Sequence, residues 1–194
     1  MALMAAFDLF TIGHSNHPID RFIALLQAAE VTAVVDVRSQ PFSRRYPWFS
    51  AQRLRERLDA EAIAYVPMGD ALGGRPREPA LFRNGIADYE AMARTPEFRA
   101  GIDRVIAGTK RACLMCAERE PLDCHRCLLV APALAARGSS IGHILADGSI
   151  VPHTAIEERL LAGHDGDLFE NDRTTRLAEA YRRRANQVAF RARA

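Results

Sequence analysis

An open, mostly parallel α/β sheet of five strands, with helices on both faces, is the fold class this sequence predicts. Two observations carry that expectation. Short β-branched or apolar runs alternate with helix-patterned stretches five times along the chain, which is the order of a parallel sheet. The runs are also nearly continuous in apolar residues, as strands covered on both faces are. A length of 194 residues suits one such domain with a short appendage.

Each element follows from local chemistry. Leu9–His14 is an apolar run closed by a Gly-His-Ser loop. His17–Glu30 reads as a helix, with Pro18 suited to the first turn and Phe22, Leu25, Leu26 and Ala29 at helical spacing. Val31–Arg38 is the second strand, and Ser39–Phe49 a loop rich in Pro, Arg and aromatics. Ser50 is the expected N-cap of a helix reaching Glu61, and Ala62–Met68 the third strand. Gly69–Pro79 is Gly/Pro-punctuated loop. Helical stretches are expected at Ile86–Arg94 and Pro96–Ala107, and a fourth strand at Arg111–Glu118. A helix with Asp123 as N-cap then ends at Gly138, before a fifth strand and turn at Ser140–Ser149. His153–Ala162 is expected to open with a capping box, Thr154 to Glu157. Asn171 to about Val188 reads as a basic helix or frayed tail. The expected division is an α/β domain over residues 1–163 and a basic helical extension over 164–194.

Composition narrows the setting. With 48% hydrophobic and 26% charged residues the chain resembles a soluble globular protein. No apolar run approaches the roughly 18 residues of a membrane span, and the opening MALMAAFDLF is too short for a secretory signal. No membrane association is therefore expected, and a cytoplasmic location is the default expectation. Thiols stay reduced there, so a disulfide framework is not expected. The net charge is only +2, yet of the 26 basic residues all but Lys110 are arginine. Arginine suits planar contact with carboxylate or phosphate. Genome base composition also accounts for such an excess, so particular arginines have to be argued from position.

Ligands of open parallel sheets bind at the carboxyl ends of the strands. The unusual polar residues of this sequence gather there: His14 and Ser15 after the first strand, Asp36 and Arg38 at the end of the second, Gly73-Gly74-Arg75 after the third. Cys116, Glu118, Cys124, His125 and Arg126 follow the fourth. Asp36 sits in an apolar strand, where an unpaired carboxylate is costly, so Arg38 or His14 should pair with it. Arg44 is the loop candidate for holding an anion. Neither a G-x-G-x-x-G nor a G-x-x-x-x-G-K-[ST] loop occurs, which disfavours the usual ATP hydrolysis.

All four cysteines lie in CLMCAEREPLDCHRC, Cys113–Cys127. A four-sulfur zinc site needs all of them on one ion, but Cys113 and Cys116 lie three apart on a strand and face opposite ways. A redox reading rests on the C-x-x-C of Cys124 and Cys127 at a helix start. A third reading makes Cys124 a nucleophile at a helix N-terminus, with Arg126 and backbone N–H groups as an anion pocket and Glu118 or His125 as acid or base.

Thr11–Ser15 (TIGHS), Asp36–Arg44 (DVRSQPFSR), Leu72–Gly74 (LGG), Tyr89–Phe98 and above all Cys116–Arg126 (CAEREPLDCHR) resemble the DUF488 family. The pattern C-x-E-x-x-P-x-x-C-H-R is matched at Cys116, Glu118, Pro121, Cys124, His125 and Arg126. The resemblance spans Leu9 to Leu145 and implies a compact α/β domain with the signature residues in one pocket; the Rossmann-like layout is what the strand–helix alternation predicts. It leaves Cys113 and Cys127 outside the signature, which weighs against four-thiol zinc and against the C-x-x-C pair. It supplies no substrate.

The expected function is an enzyme, a hydrolase or transferase, acting on an anionic small molecule, nucleotide-like or phosphorylated. Catalytic candidates are Cys124, His125, Glu118, Asp36 and His14; substrate-binding candidates are Ser15, Arg38, Arg44, Gly73, Gly74, Cys116 and Arg126. The alternatives are a ligand- or metal-binding sensor, using Cys116, Cys124 and a histidine, or a nucleic-acid-binding protein acting through the arginine-rich tail Tyr181–Ala194. A metal is the less favoured of these, and the sequence carries no sign of oligomeric state.

Overall fold

The computed structural model describes residues 7–108, 111–163 and 172–192. The chain runs β1 (Leu9–Gly13), α1 (Ile19–Ala28), β2 (Ala33–Asp36), α2 (Ala51–Asp59), β3 (Ala64–Pro67), α3 (Gly69–Leu72), β4 (Phe82–Arg83), β5 (Ile86–Ala87), α4 (Tyr89–Ala93), α5 (Pro96–Ala107), β6 (Ala112–Cys116), α6 (Ala131–Ala135), β7 (Ile141–Ile144), β8 (Ile150–Pro152), α7 (His153–Ala162) and α8 (Arg173–Val188). The main sheet has the order β3-β2-β6-β1-β7-β8. Its first five strands are mutually parallel, and β8 returns antiparallel to β7. The sheet is thus mixed α/β and mostly parallel, as expected, but has six strands rather than five. β8 is a three-residue run ending in proline, too short to register as a strand by pattern alone.

Both faces are covered. On one, Phe22, Leu25 and Leu26 of α1 and Leu54 and Leu58 of α2 pack against Phe10, Ile12, Val34 and Met115. On the other, Phe98, Ile102 and Val105 of α5, with Leu128 and Leu129, pack against Val35, Leu114 and Ile141. The chain therefore leaves β1 and β2 toward the first face and leaves β6, which lies between them, toward the second. Connections diverge on both sides of the carboxyl end of β6, and such a divergence opens a crevice.

Several local expectations are corrected. Ile86–Arg94 is helical only from Tyr89; Phe82–Arg83 and Ile86–Ala87 form a hairpin instead. Its turn, Asn84 (φ 52°) and Gly85 (φ 74°), is the Asn-Gly pair that a two-residue hairpin demands. α7 has Pro152 at its N-cap and no side-chain cap, so the Thr154–Glu157 capping box does not form. Ser50 stands at the N-cap of α2 without capping it; its hydroxyl accepts from the Ser43 N–H at 3.3 Å. Asp123 ends a 3-10 turn, Pro121–Asp123, and its carboxylate takes Arg184 as partner rather than capping the following helix.

The described part of the C-terminal segment is tied to the sheet domain. Asp172 caps α8, Arg182 pairs with Glu90 and Arg184 with Asp123. Beyond α8, the Ala87 N–H donates to the Phe190 carbonyl at 2.9 Å and the Ala192 N–H to the Gly85 carbonyl at 2.8 Å. The expected start of this segment, residues 164–171, lies outside the described residues. Among the described residues no helix is long and apolar enough to cross a membrane.

Candidate functional site

The crevice at the end of β6 is a cleft of about 260 Å³. His14, Arg38, Ser39, Gln40, Gly74, Arg75, Tyr89, Cys116, Glu118 and His125 line it, and Val188 and Phe190 close one side. It is built from two charge clusters that face each other.

The first cluster begins with strand geometry. Asp36 and Arg38 are two apart, so they leave β2 on the same side. The guanidinium donates to the carboxylate from Nε at 2.8 Å and from Nη2 at 2.6 Å. The Tyr65 hydroxyl donates to the second carboxylate oxygen at 2.7 Å. Asp36 is 1% exposed, and these contacts provide what a buried carboxylate needs. Arg38 Nη1 also donates to His14 Nε2 at 3.2 Å. An arginine can only donate, so His14 accepts there and carries its proton on Nδ1, which donates to the Ser15 carbonyl at 3.0 Å. Burial, and then the Arg38 charge, bring the His14 pKa down to about 4. Its ring stacks on Phe49 at 4.3 Å between centroids. His14 is thus a fixed neutral imidazole with both nitrogens engaged, and it holds Arg38 rather than standing free as a base.

The second cluster gathers around Glu118. Oε2 of Glu118 lies 2.9 Å from Cys116 Sγ and 3.1 Å from Cys124 Sγ. His125 Nδ1 lies 3.7 Å from the first sulfur and 3.9 Å from the second. The other nitrogen of that ring, Nε2, donates to the Val37 carbonyl at 2.9 Å, which fixes the ring orientation. Cys124 is extended (φ −137°, ψ 138°) and takes the cap position that Asp123 was expected to fill. Its sulfur accepts from the Arg126 N–H at 3.4 Å. A π-helical turn, Arg126–Val130, follows; such turns recur at functional sites.

Three acidic groups in mutual contact cannot all ionise. Burial opposes every charge here. At Cys124 a hydrogen bond from Cys116 and the charges of Arg126 and His125 outweigh it, and the thiol is held well below its ordinary range. Cys116 moves the other way, through burial and the charge of Cys124. Burial and then Cys124 also raise the Glu118 carboxyl. His125 is raised: burial lowers it, but the Cys124 charge prevails. The balance favours a thiolate at Cys124 and a protonated thiol at Cys116, with the Glu118 carboxyl shifted upward beside them.

The structure sorts the expected residues. His14, Arg38, Cys116, Glu118, His125 and Gly74 reach the cleft. Asp36 stands behind Arg38, and Cys124 behind Cys116, so the sulfur on the cleft wall is that of Cys116. Arg126 does not reach the cleft. It is fully buried, and its guanidinium donates to the carbonyls of Glu118 at 2.7 Å and Arg119 at 3.2 Å. Ser15 (φ 46°) borders an adjoining hollow with Arg45 and Arg119. Arg44 is exposed and does not line the cleft. Gly73 lies against Ser39, and Gly74 against the His125 ring, where a Cβ would stand 2.7 Å from Cγ. Both glycines permit close packing, and Gly74 also lines the cleft. Tyr65, Phe49, Tyr89 and Phe190 were not expected in the site. Aromatic residues in a core pattern give no local signal of which polar group they will touch.

The fold and site define a mostly parallel α/β domain carrying a cysteine–histidine–glutamate cluster opposite a fixed arginine at a divergence of the sheet. The sequence pattern of the family described as "Domain of unknown function DUF488" matches residues 18–132, and the chain belongs to that family. The matched span holds Asp36, Arg38 and every residue from Cys116 to Arg126, while His14 precedes it. No curated protein and no solved structure matches the chain.

Proposed function

We propose that the protein is a thiol-dependent enzyme, a hydrolase or transferase, that acts on a small anionic substrate of the phosphorylated or nucleotide-like kind. One observation carries this reading: Arg38 and the Cys116–Glu118–His125 wall share a single cleft. Arg38, pre-oriented by Asp36 and His14, and Arg75 at the mouth offer charge-assisted hydrogen bonds to an anion. The Cys116–Cys124 pair supplies the nucleophile: the thiolate is favoured at Cys124, and a proton passed from Cys116 to it leaves the charge on the sulfur that lines the cleft. Glu118, whose carboxyl is shifted upward by burial and by Cys124, lies beside both sulfurs, where it can exchange a proton with a leaving group.

A panel of phosphate monoesters, nucleotides and activated acyl esters tests the reading. Turnover should vanish in Cys116→Ser and in Cys124→Ser with the fold retained. Arg75→Ala should raise KM about 10-fold or more, the worth of one charge-assisted contact, with little change in kcat. Undiminished turnover in both cysteine variants would remove the thiol from the mechanism.

A second reading has its own observation. One ligand atom from each of Cys116, Glu118, Cys124 and His125 lies within 4.8 Å of the others. His125 Nδ1 faces the sulfurs while Nε2 is anchored on a carbonyl, the arrangement of metal-binding histidines. A stoichiometric metal abolished by Cys116→Ser would favour a metal-binding module over a free-thiol enzyme. A metal-free protein with turnover would exclude it.

A further inference from the structure

A separate cluster lies deeper in the fold, on residues outside the cleft. Cys127 in the π-helical turn, His143 on β7 and His153 at the start of α7 are all buried, and one ligand atom of each lies within 4.8 Å of the others. His143 Nε2 and His153 Nδ1 face each other at 3.0 Å. The distal nitrogens are both anchored. His143 Nδ1 is 2.8 Å from the Thr11 hydroxyl, its cross-strand partner in register. His153 Nε2 is 3.1 Å from the Tyr181 hydroxyl, which donates to Glu157 at 3.2 Å.

We propose that Cys127, His143 and His153 form a binding site for a thiophilic divalent cation, Zn²⁺, held by one sulfur and two imidazole nitrogens. The geometry supports it on three counts. Zinc takes nitrogen at about 2.0–2.1 Å and sulfur at about 2.3 Å, which sets tetrahedral N···N near 3.3 Å, a few tenths of an ångström wider than the observed pair. The distal nitrogens already have the hydroxyl and carboxylate-backed partners that orient metal-binding histidines. Mixed sulfur and imidazole donors select zinc over magnesium or calcium. Arg126 lies nearby and opposes a cation, and burial pushes the Cys127 thiol up to about 12; the Glu157 carboxylate and the charge Cys127 gains when the ion displaces its proton offset this.

Without an ion, Tyr181 donates to Glu157, so His153 donates from Nε2 and accepts at Nδ1. His143 must then carry its proton on Nε2 and accept from Thr11. Binding leaves His153 as it is, moves the His143 proton to Nδ1 with the Thr11 hydroxyl turned to accept it, and releases the Cys127 proton to solvent. One proton leaves per ion, and no oxidation occurs. Three protein donors leave one coordination position for water.

Full-length protein, stripped with chelator and reloaded with Zn²⁺, decides the matter by metal analysis and by X-ray absorption. One equivalent should bind with two nitrogens and one sulfur around it. It should be lost in His143→Gln and Cys127→Ser, survive in the Cys116→Ser/Cys124→Ser double variant, and bind about 10–100-fold more weakly in Tyr181→Phe. Folded wild type that binds no zinc overturns the proposal. So does a bound ion surrounded by two sulfurs, or one removed only by the Cys116 and Cys124 substitutions. Should Cys127→Ser not fold, His153→Gln, which keeps hydrogen-bonding capacity, and the absorption spectrum of the wild type still decide.

Discussion

Arg38 is the residue on which the anion side of the cleft depends, and its neighbours make that testable. Tyr65→Phe removes one donor from a buried carboxylate and should cost about 1–3 kcal/mol. Arg38→Met leaves Asp36 buried and unpaired, and should cost about 3–5 kcal/mol. Urea unfolding measures both, and a smaller loss for Arg38→Met than for Tyr65→Phe would contradict the pairing described. Gly74→Ala drives a methyl into the His125 ring and should cost about 1–3 kcal/mol while slowing any thiol chemistry. The Asp36–Arg38 pair was legible in the sequence, because residues two apart on a strand share a side. The role of His14 was not, since its tautomer is set by Arg38, a partner that the strand order brings alongside.

Elements explain which thiol meets the cleft. β6 ends with Cys116 on the wall, and the following turn sets Cys124 behind it at the start of a helix. The C-terminal segment completes the enclosure: Val188 and Phe190 line the cleft, and Arg75 stacks over the Phe190 ring at 5.2 Å. Removing residues 188–194 should therefore speed modification of Cys116 by an aromatic disulfide reagent, read as absorbance against time. An unchanged rate would show that the segment does not cover the sulfur. Tail arginines that looked free for nucleic acid are partly engaged within the molecule, Arg182 with Glu90 and Arg184 with Asp123. Charge partners some 60 to 90 residues away cannot be read from local pattern, whereas the Asn84-Gly85 hairpin signal is local to the sequence.

Across the whole molecule, the alternating pattern made the parallel sheet legible, and the strand-end rule pointed to the edge where the cleft lies. The order of the strands was not legible: nothing in the sequence says that β6 inserts between β1 and β2, although that insertion joins the two clusters. His143 and His153 stayed hidden for the same reason. Buried neutral histidines also set the pH response. Burial lowers His153 to about 4, lowers His14 to about 4 with the help of Arg38, holds His143 well below its ordinary value and also lowers His17. The unfolded chain binds protons near 6.5 that these groups refuse in the fold, so stability present above that pH is lost as pH falls toward 4. His125, raised in the fold, opposes the trend, because its contribution is complete below 6.5 and is lost as pH rises through its folded value. Four lowered histidines outweigh the one that is raised, and His14 and His153 each contribute on the order of 3 kcal/mol. Urea unfolding of metal-free protein at pH 7 and pH 4 should show a net loss, and His14→Gln should reduce it; equal stability at the two pH values would contradict the neutral, buried assignment.

The central claim is a thiolate at the Cys116–Cys124 pair beside an anion-binding cleft, and ultraviolet titration of thiolate absorbance tests it most directly. One thiolate should appear below the ordinary thiol pKa of about 8.5, disappear in Cys124→Ser, and shift to higher pH when inorganic phosphate is added. A titration with no thiolate below that value, unaffected by Cys124→Ser and by phosphate, would contradict the account.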